Sequence, residues 1–160
     1  MTEPNPVTIE VAQTPEQYRS AGQLFREYVQ FLGLDIAYQG FEEELADLPA
    51  MYGRPSGALV LARLYGEYAG AVGLRTHEPG VAEMKRMFVR ASARGQRVGE
   101  ALTAALIDQA RGLGFHAIVL DSVASLKPAL ALYRRFGFRD IAPYCYNPFE
   151  DAVFMRLELT

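Results

Sequence analysis

Cysteine occurs once in this chain, at position 145, and histidine only at positions 77 and 116. A single thiol cannot close an intramolecular disulfide, and neither histidine stands at a recognisable spacing from Cys145 to serve a catalytic thiol as its base. Cys145 therefore reads as a small apolar residue. So few soft ligands argue against a transition-metal site, and no metal is expected. A basic run is missing too. Lys+Arg number 16 against 19 Asp+Glu, for a formal charge of −3, so the footprint that nucleic acid requires is absent. The most apolar window, Gly57 to Leu74, is interrupted by Arg63 and Glu67 before it reaches the roughly 20 residues of a membrane span. Met1 to Val11 has neither a basic nor an apolar leader region, so secretion is not indicated and the reducing cytoplasm is the expected compartment. Internal repeats and low-complexity tracts are lacking as well.

What is present suits a folded domain. Half of the 160 residues are hydrophobic and 22% are charged, enough for one core and too short for two domains of typical size, so residues 1–160 are read as one. Val7 to Val11 alternates as a strand. Thr14-Pro15-Glu16 starts a helix that runs to about Leu32 and stops at Gly33, with Tyr18, Ala21, Leu24, Phe25, Tyr28, Val29 and Leu32 as its apolar stripe. Asp35 to Gly40 reads as a loop and Phe41 to Leu48 as a second helix, with Glu42, Glu43 and Glu44 near its positive end. Ala58 to Tyr65 and Tyr68 to Arg75 flank the hairpin signal Gly66-Glu67, and Glu78-Pro79-Gly80 turns the chain into a third strand carrying Glu83.

The organising stretch is Ala82 to Gly112, which reads as strand, loop and helix. Glu83 to Val89 partly alternates, and Leu102, Leu106, Ala110 and Leu113 recur at helical spacing behind Gly99. The loop between them, Arg94-Gly95-Gln96-Arg97-Val98-Gly99, leaves backbone N–H groups without partners at the positive end of a helix dipole. An anion fits there. The glycines allow close approach, and Arg94 and Arg97 add charge suited to a pyrophosphate. The loop lacks the Lys-Ser/Thr ending of a P-loop and the full Gly-x-Gly-x-x-Gly of a dinucleotide fold. Downstream, His116 to Asp121 reads as a buried strand, Ser125 to Phe136 as a helix ended by Gly137, and Phe138 to Ala142 and Ala152 to Leu159 as further strands.

Arg94-Gly-x-x-Val-Gly-x-Ala-Leu, followed by Leu132-Tyr133-x-x-Phe136-Gly137-Phe138, resembles the GNAT superfamily of acyl-CoA-dependent N-acyltransferases, strongly from about Gly57 to Leu159. The resemblance implies an α/β fold of mixed α+β character. It would have a central mixed, mostly antiparallel sheet of about six to seven strands, flanked by about four helices. It also implies acetyl transfer from acetyl-CoA to a primary amine, by direct attack without a covalent enzyme intermediate. Two positions depart from the family pattern. Arg97 replaces the first glycine of the loop, where the amide does most of the binding, and Leu126 replaces an asparagine that contacts the cofactor in many members.

By that resemblance, Met87, Phe88 and Val89 would hold the pantetheine arm through their backbone, with an oxyanion donor near Phe88. Arg94, Gly95, Gln96, Arg97, Val98, Gly99, Glu100 and Ala101 would hold the pyrophosphate. Tyr133 matches the general acid of relatives, and a phenol of pKa about 10 is protonated at neutral pH and able to serve a departing thiolate. Glu83, on the strand before the loop, is the candidate base for an amine of pKa about 10.4. Strand alternation places Glu83 and Lys85 on one face and Arg86 on the other. Phe41, Tyr144 and Tyr146 are candidates for the acceptor pocket. The partner is a small-molecule or peptide amine, with no nucleic acid and no membrane, and a homodimer stays open. Two other readings share the motifs: a catalytically silent acyl-CoA-binding sensor module and a phosphate binder of unrelated fold.

Overall fold

The computed structural model describes residues 6–33 and 40–159. Seven strands form one sheet in the order β1-β2-β3-β4-β5-β7-β6: β1 (Val7–Val11), β2 (Gly57–Leu64), β3 (Glu67–Glu78), β4 (Val81–Val89), β5 (Ala117–Val123), β6 (Arg139–Asp140) and β7 (Ala152–Glu158). Every neighbouring pair is antiparallel except β4 and β5, which run parallel. Helix α4 (Val98–Gly112) connects that parallel pair, as a parallel crossover needs.

The α1 helix (Pro15–Leu32) begins in a capping box: Thr14 accepts from the Gln17 amide while the Gln17 side chain accepts from the Thr14 amide. The expected Phe41 to Leu48 helix is instead two, α2 (Phe41–Ala46) and α3 (Leu48–Tyr52). Pro49 has no N–H to continue the first helix, and Asp47 leaves helical geometry to accept from the Ala50 amide at 3.2 Å. With α5 (Lys127–Arg135) the described residues hold five helices, where about four were expected. The expected 35–40 loop lies outside the described residues apart from Gly40, the left-handed N-cap of α2.

Alternate residues of β2 divide the core into two layers. Val60 and Ala62 pack with Leu102 and Leu106 of α4 and with Leu130 and Tyr133 of α5, while Leu59 and Leu61 pack with Leu24 and Phe25 of α1 and Tyr52 of α3. A third small cluster, Val81, Ala117 and Val119, receives Tyr144 from the loop between β6 and β7.

One irregularity in β4 decides where the side chains go. Lys85 lies opposite Gly73 and Phe88 opposite Ala71, so β4 carries one residue more than β3 across this span, and Arg86 takes the left-handed φ of 63°. Simple alternation would send Arg86 toward α4. The bulge turns it instead toward α2, where it is buried against Glu44, and it switches the parity of the residues after it. Met84 before the bulge and Met87 after it both lie with the α4–α5 layer, and Phe88 joins the α1 layer. The face assigned to Arg86 by alternation is thus corrected by the bulge.

Candidate active site

β4 and β5 pair only from Val81 to Glu83, opposite Ala117 to Val119, and then part. The gap is a pocket lined by Met84, Lys85, Arg86 and Met87 of β4 and by Leu120, Asp121, Ser122 and Val123 of β5. Tyr28 and Leu32 close it from the α1 layer, and Leu126, Ala129 and Tyr133 from α5. Because those two helices lie on opposite faces of the sheet, the opening passes through it.

Tyr133 is 5% exposed, and burial raises its phenol far above the usual value, so it is neutral throughout the physiological range. The end of α5 fixes its position. Gly137 takes φ 103°, a conformation open to glycine, and this turns the chain so that the Phe138 amide donates to the Tyr133 carbonyl at 3.1 Å. Phe138 then packs on Tyr133 with ring centroids 5.8 Å apart, a physical reason for aromatic and glycine to recur together in this block.

At the start of α4 the first helical bond runs from the Ala101 amide to the Arg97 carbonyl, so the amides of Val98, Gly99 and Glu100 have no helical partner. No side chain caps this helix. Arg97 is its N-cap at φ 64°, and Arg94, Gly95, Gln96, Arg97 and Glu100 are exposed around it. The turn is built close to the other elements: a Cβ on Gly99 would stand 3.3 Å from Leu132 of α5 and 3.8 Å from Val89 of β4. Arg94 lays its guanidinium over the exposed ring of Phe31, 4.5 Å from the centroid. Free amides, a helix dipole and open surface fit a pyrophosphate, and the adjoining gap fits a narrow arm reaching toward Tyr133.

Glu83 is 2% exposed and outside the pocket lining among the described residues. Arg75 Nε donates to its Oε1 at 2.8 Å and the Tyr144 hydroxyl donates to its Oε2 at 2.7 Å. Burial pushes this carboxyl up, but the Lys85 charge, the Tyr144 hydroxyl and Arg75 outweigh burial, so Glu83 titrates below the usual glutamate range. With both oxygens engaged and a depressed pKa, it is poorly placed to take a proton directly from an amine. Tyr144 is spent on this contact and packs edge-on against His77 and Phe154, while burial and then the Glu83 and Asp121 charges raise its phenol well above normal.

The remaining acceptor candidates also sit elsewhere. Phe41 is a core residue beneath the Arg86 guanidinium, 5.3 Å from its ring centroid, and Tyr146 is 73% exposed. Asn147 and Phe149 of the same loop line the pocket instead. Glu44 is fully engaged within the fold: both its oxygens accept from Arg86, at 3.0 and 3.1 Å, and it also accepts from the Tyr52 hydroxyl at 2.9 Å.

Cys145 lies beside Glu83 and Asp121, with donor atoms of the three within 4.8 Å of one another. Burial and the two carboxylates push the thiol up to about 11, so it stays protonated at neutral pH. What sequence reasoning passed over is Asp121, which lines the gap together with Lys85. Both sat inside quoted blocks, but only the end of pairing at Glu83 reveals that they face an opening.

The chain matches the profile of the acetyltransferase (GNAT) family over residues 23–138. It is 36% identical to an uncharacterised N-acetyltransferase of Schizosaccharomyces pombe, across 100% of this chain and 99% of that protein. Among solved structures it resembles a putative acyl-CoA N-acyltransferase from Klebsiella pneumoniae, with a TM-score of 0.73, 28% identity, and 96% and 98% of the two chains covered. It also shares its fold with a putative acetyltransferase from Salmonella typhimurium solved with acetyl-CoA, at a TM-score of 0.69 and 19% identity over 98% and 95% of the chains.

Proposed function

Because this chain belongs to the GNAT family of acetyltransferases, we propose that it transfers the acetyl group of acetyl-CoA directly to a primary amine, with no covalent enzyme intermediate. The observation that carries this reading is the parting of β4 from β5, which opens a passage between Tyr133 on one face and charged groups on the other.

Acetyl-CoA supplies a thioester whose carbonyl carbon accepts the amine and whose sulfur leaves with the C–S bonding pair. The amides of Val98, Gly99 and Glu100 hold the pyrophosphate, and the β4 edge released from pairing after Glu83 offers backbone groups to the extended arm, as a sheet edge accepts a peptide strand. A backbone N–H near Phe88 faces the negative charge that grows on the carbonyl oxygen. Tyr133 keeps its proton until charge builds on sulfur and then donates it. Asp121 is the carboxylate on the pocket wall, and it takes the proton that the amine must lose. Glu83 acts one step back, fixing Arg75 and Tyr144 beneath the acceptor side.

The test is release of thiol from acetyl-CoA across a panel of amines, with Tyr133→Phe beside the parent. Loss of a general acid costs about 10²- to 10⁴-fold in rate. CoA affinity and melting temperature should stay near the parent's, since the ring and its packing remain. A rate within about twofold of the parent would return Tyr133 to a packing role. CoA binding without turnover of any amine would favour a silent acyl-CoA sensor.

A further inference from the structure

The charges around the gap fall into two kinds. Arg86 is closed off by Glu44, with side chains 4% and 1% exposed, and Glu83 is closed off by Arg75 and Tyr144. Lys85 and Asp121 are left over. Both are half-buried and line the pocket, yet among the described residues neither belongs to an ion pair. They stand on neighbouring strands on the side of the sheet away from α4, and both the Glu83 charge and, after it, the Asp121 charge act on the Lys85 ammonium. Asp121 is also held in place: the Phe149 amide fixes the Asn147 side-chain oxygen at 3.1 Å, and Asn147 Nδ2 then donates to Asp121 Oδ2 at 3.1 Å.

For the Lys85 ammonium burial outweighs the pull of Glu83 and Asp121 together, so its desolvation is not fully recovered within the protein. A ligand with the opposite charges at its two ends would recover it. We propose that the acceptor is a free amino acid, its carboxylate held by Lys85 and its amine by Asp121. This rests on the acetyl-transfer reading and narrows its acceptor. A peptide or protein N-terminus has an amide where the carboxylate should be, and a lysine side chain in a protein carries no acid beside its amine, so neither satisfies Lys85. One cation asks for one negative charge, which a carboxylate supplies.

The experiment is calorimetric titration of the CoA-loaded protein with the common l-α-amino acids, β-alanine and γ-aminobutyrate, and with the corresponding amines that lack the carboxylate. At least one amino acid should bind about tenfold or more tightly than its decarboxylated partner, a difference near 1.4 kcal/mol. Lys85→Met should erase that ratio and Lys85→Arg should restore most of it. If Lys85→Met does not fold, Asp121→Asn tests the amine end, where the amino acid should lose affinity and the matching carboxylic acid without an amine should not. A plain amine or peptide N-terminus that binds as well as every amino acid, or a ratio unmoved in Lys85→Met, overturns the proposal. Thiol release measured in parallel separates the two readings. Turnover of plain amines without preference sinks the amino-acid acceptor and leaves acetyl transfer standing; an amino acid bound through Lys85 and never acetylated does the reverse.

Discussion

Arg86 and Arg97 have nearly the same unusual backbone, with φ of 63° and 64°, in opposite surroundings. Arg86 is 6% exposed in the bulge of β4, bonded twice to Glu44 and stacked over Phe41. Arg97 is exposed at the start of α4 and caps nothing with its side chain. Left-handed backbone costs an ordinary residue about 1–2 kcal/mol wherever it occurs. In the bulge that cost is offset by the two hydrogen bonds that the side chain donates to Glu44. In the loop it is tolerated because the helix N-terminus requires the turn, and the side chain is incidental. One conformation therefore marks a structural keystone in one place and a backbone binding surface in the other.

The largest way to break the comparison is to remove the partner of Arg86. Glu44→Ala removes the carboxylate that accepts twice from this buried guanidinium, and should destabilise the fold by about 3–5 kcal/mol in urea unfolding. Replacing both members with apolar residues of similar volume should recover much of the loss. A small effect of Glu44→Ala would mean that water reaches Arg86 and that the bulge is not a keystone.

An intermediate case sharpens the scale. Glu83 is as buried as Glu44, but its partner Arg75 has a side chain 36% exposed. Glu83→Gln should cost about 1–3 kcal/mol at neutral pH, the range for hydrogen bonds to a charged group. Its pH signature follows from the depressed pKa. The carboxyl titrates lower in the folded protein than in the unfolded chain, so its contribution is complete above the ordinary glutamate range and is lost as pH falls through the folded value. Stability should decline in acid along a limb that flattens in Glu83→Gln. Parallel declines in the two proteins would show that other carboxylates set that limb.

These contrasts also explain what the chain disclosed before its structure was known. The helix start at Thr14, the helix end at Gly137 and the loop from Arg94 to Gly99 are local: a few consecutive residues state the geometry, and the structure has it where those residues stand. The order of strands and helices follows from such local signals, while the role expected of Tyr133 came from the family resemblance. The roles of Glu83 and Arg86 were not legible, because they depend on one inserted residue in β4 and on partners 42 and 61 positions away in the chain, Glu44 and Tyr144. Period-2 alternation holds up to the bulge and fails after it. Asp121 was equally hidden, since it is not unusual until the strands are seen to separate, whereas alternation gave Lys85 a face without showing the opening on it.

The smallest expected effect belongs to Arg97, and it tests whether side chain or backbone matters at the start of α4. Glycine is at ease at φ 64°, so Arg97→Gly removes about 1–2 kcal/mol of backbone strain. It restores some freedom to the unfolded chain, worth roughly 0.5–1 kcal/mol against folding. The net change should be a stabilisation of up to about 1 kcal/mol, read as a rise in melting temperature of about 2–4 °C at most. CoA affinity is the more telling readout. If the amides of Val98, Gly99 and Glu100 carry the pyrophosphate, the substitution keeps every donor and loses only one exposed charge, a loss screened by salt and within about threefold. Arg94→Ala, which strips the guanidinium lying over Phe31, should then weaken CoA by more than Arg97→Gly does. A drop beyond about tenfold in Arg97→Gly, shrinking as salt is raised, would make the guanidinium itself a phosphate ligand, and the two left-handed arginines would then both be held in place by what their side chains bind.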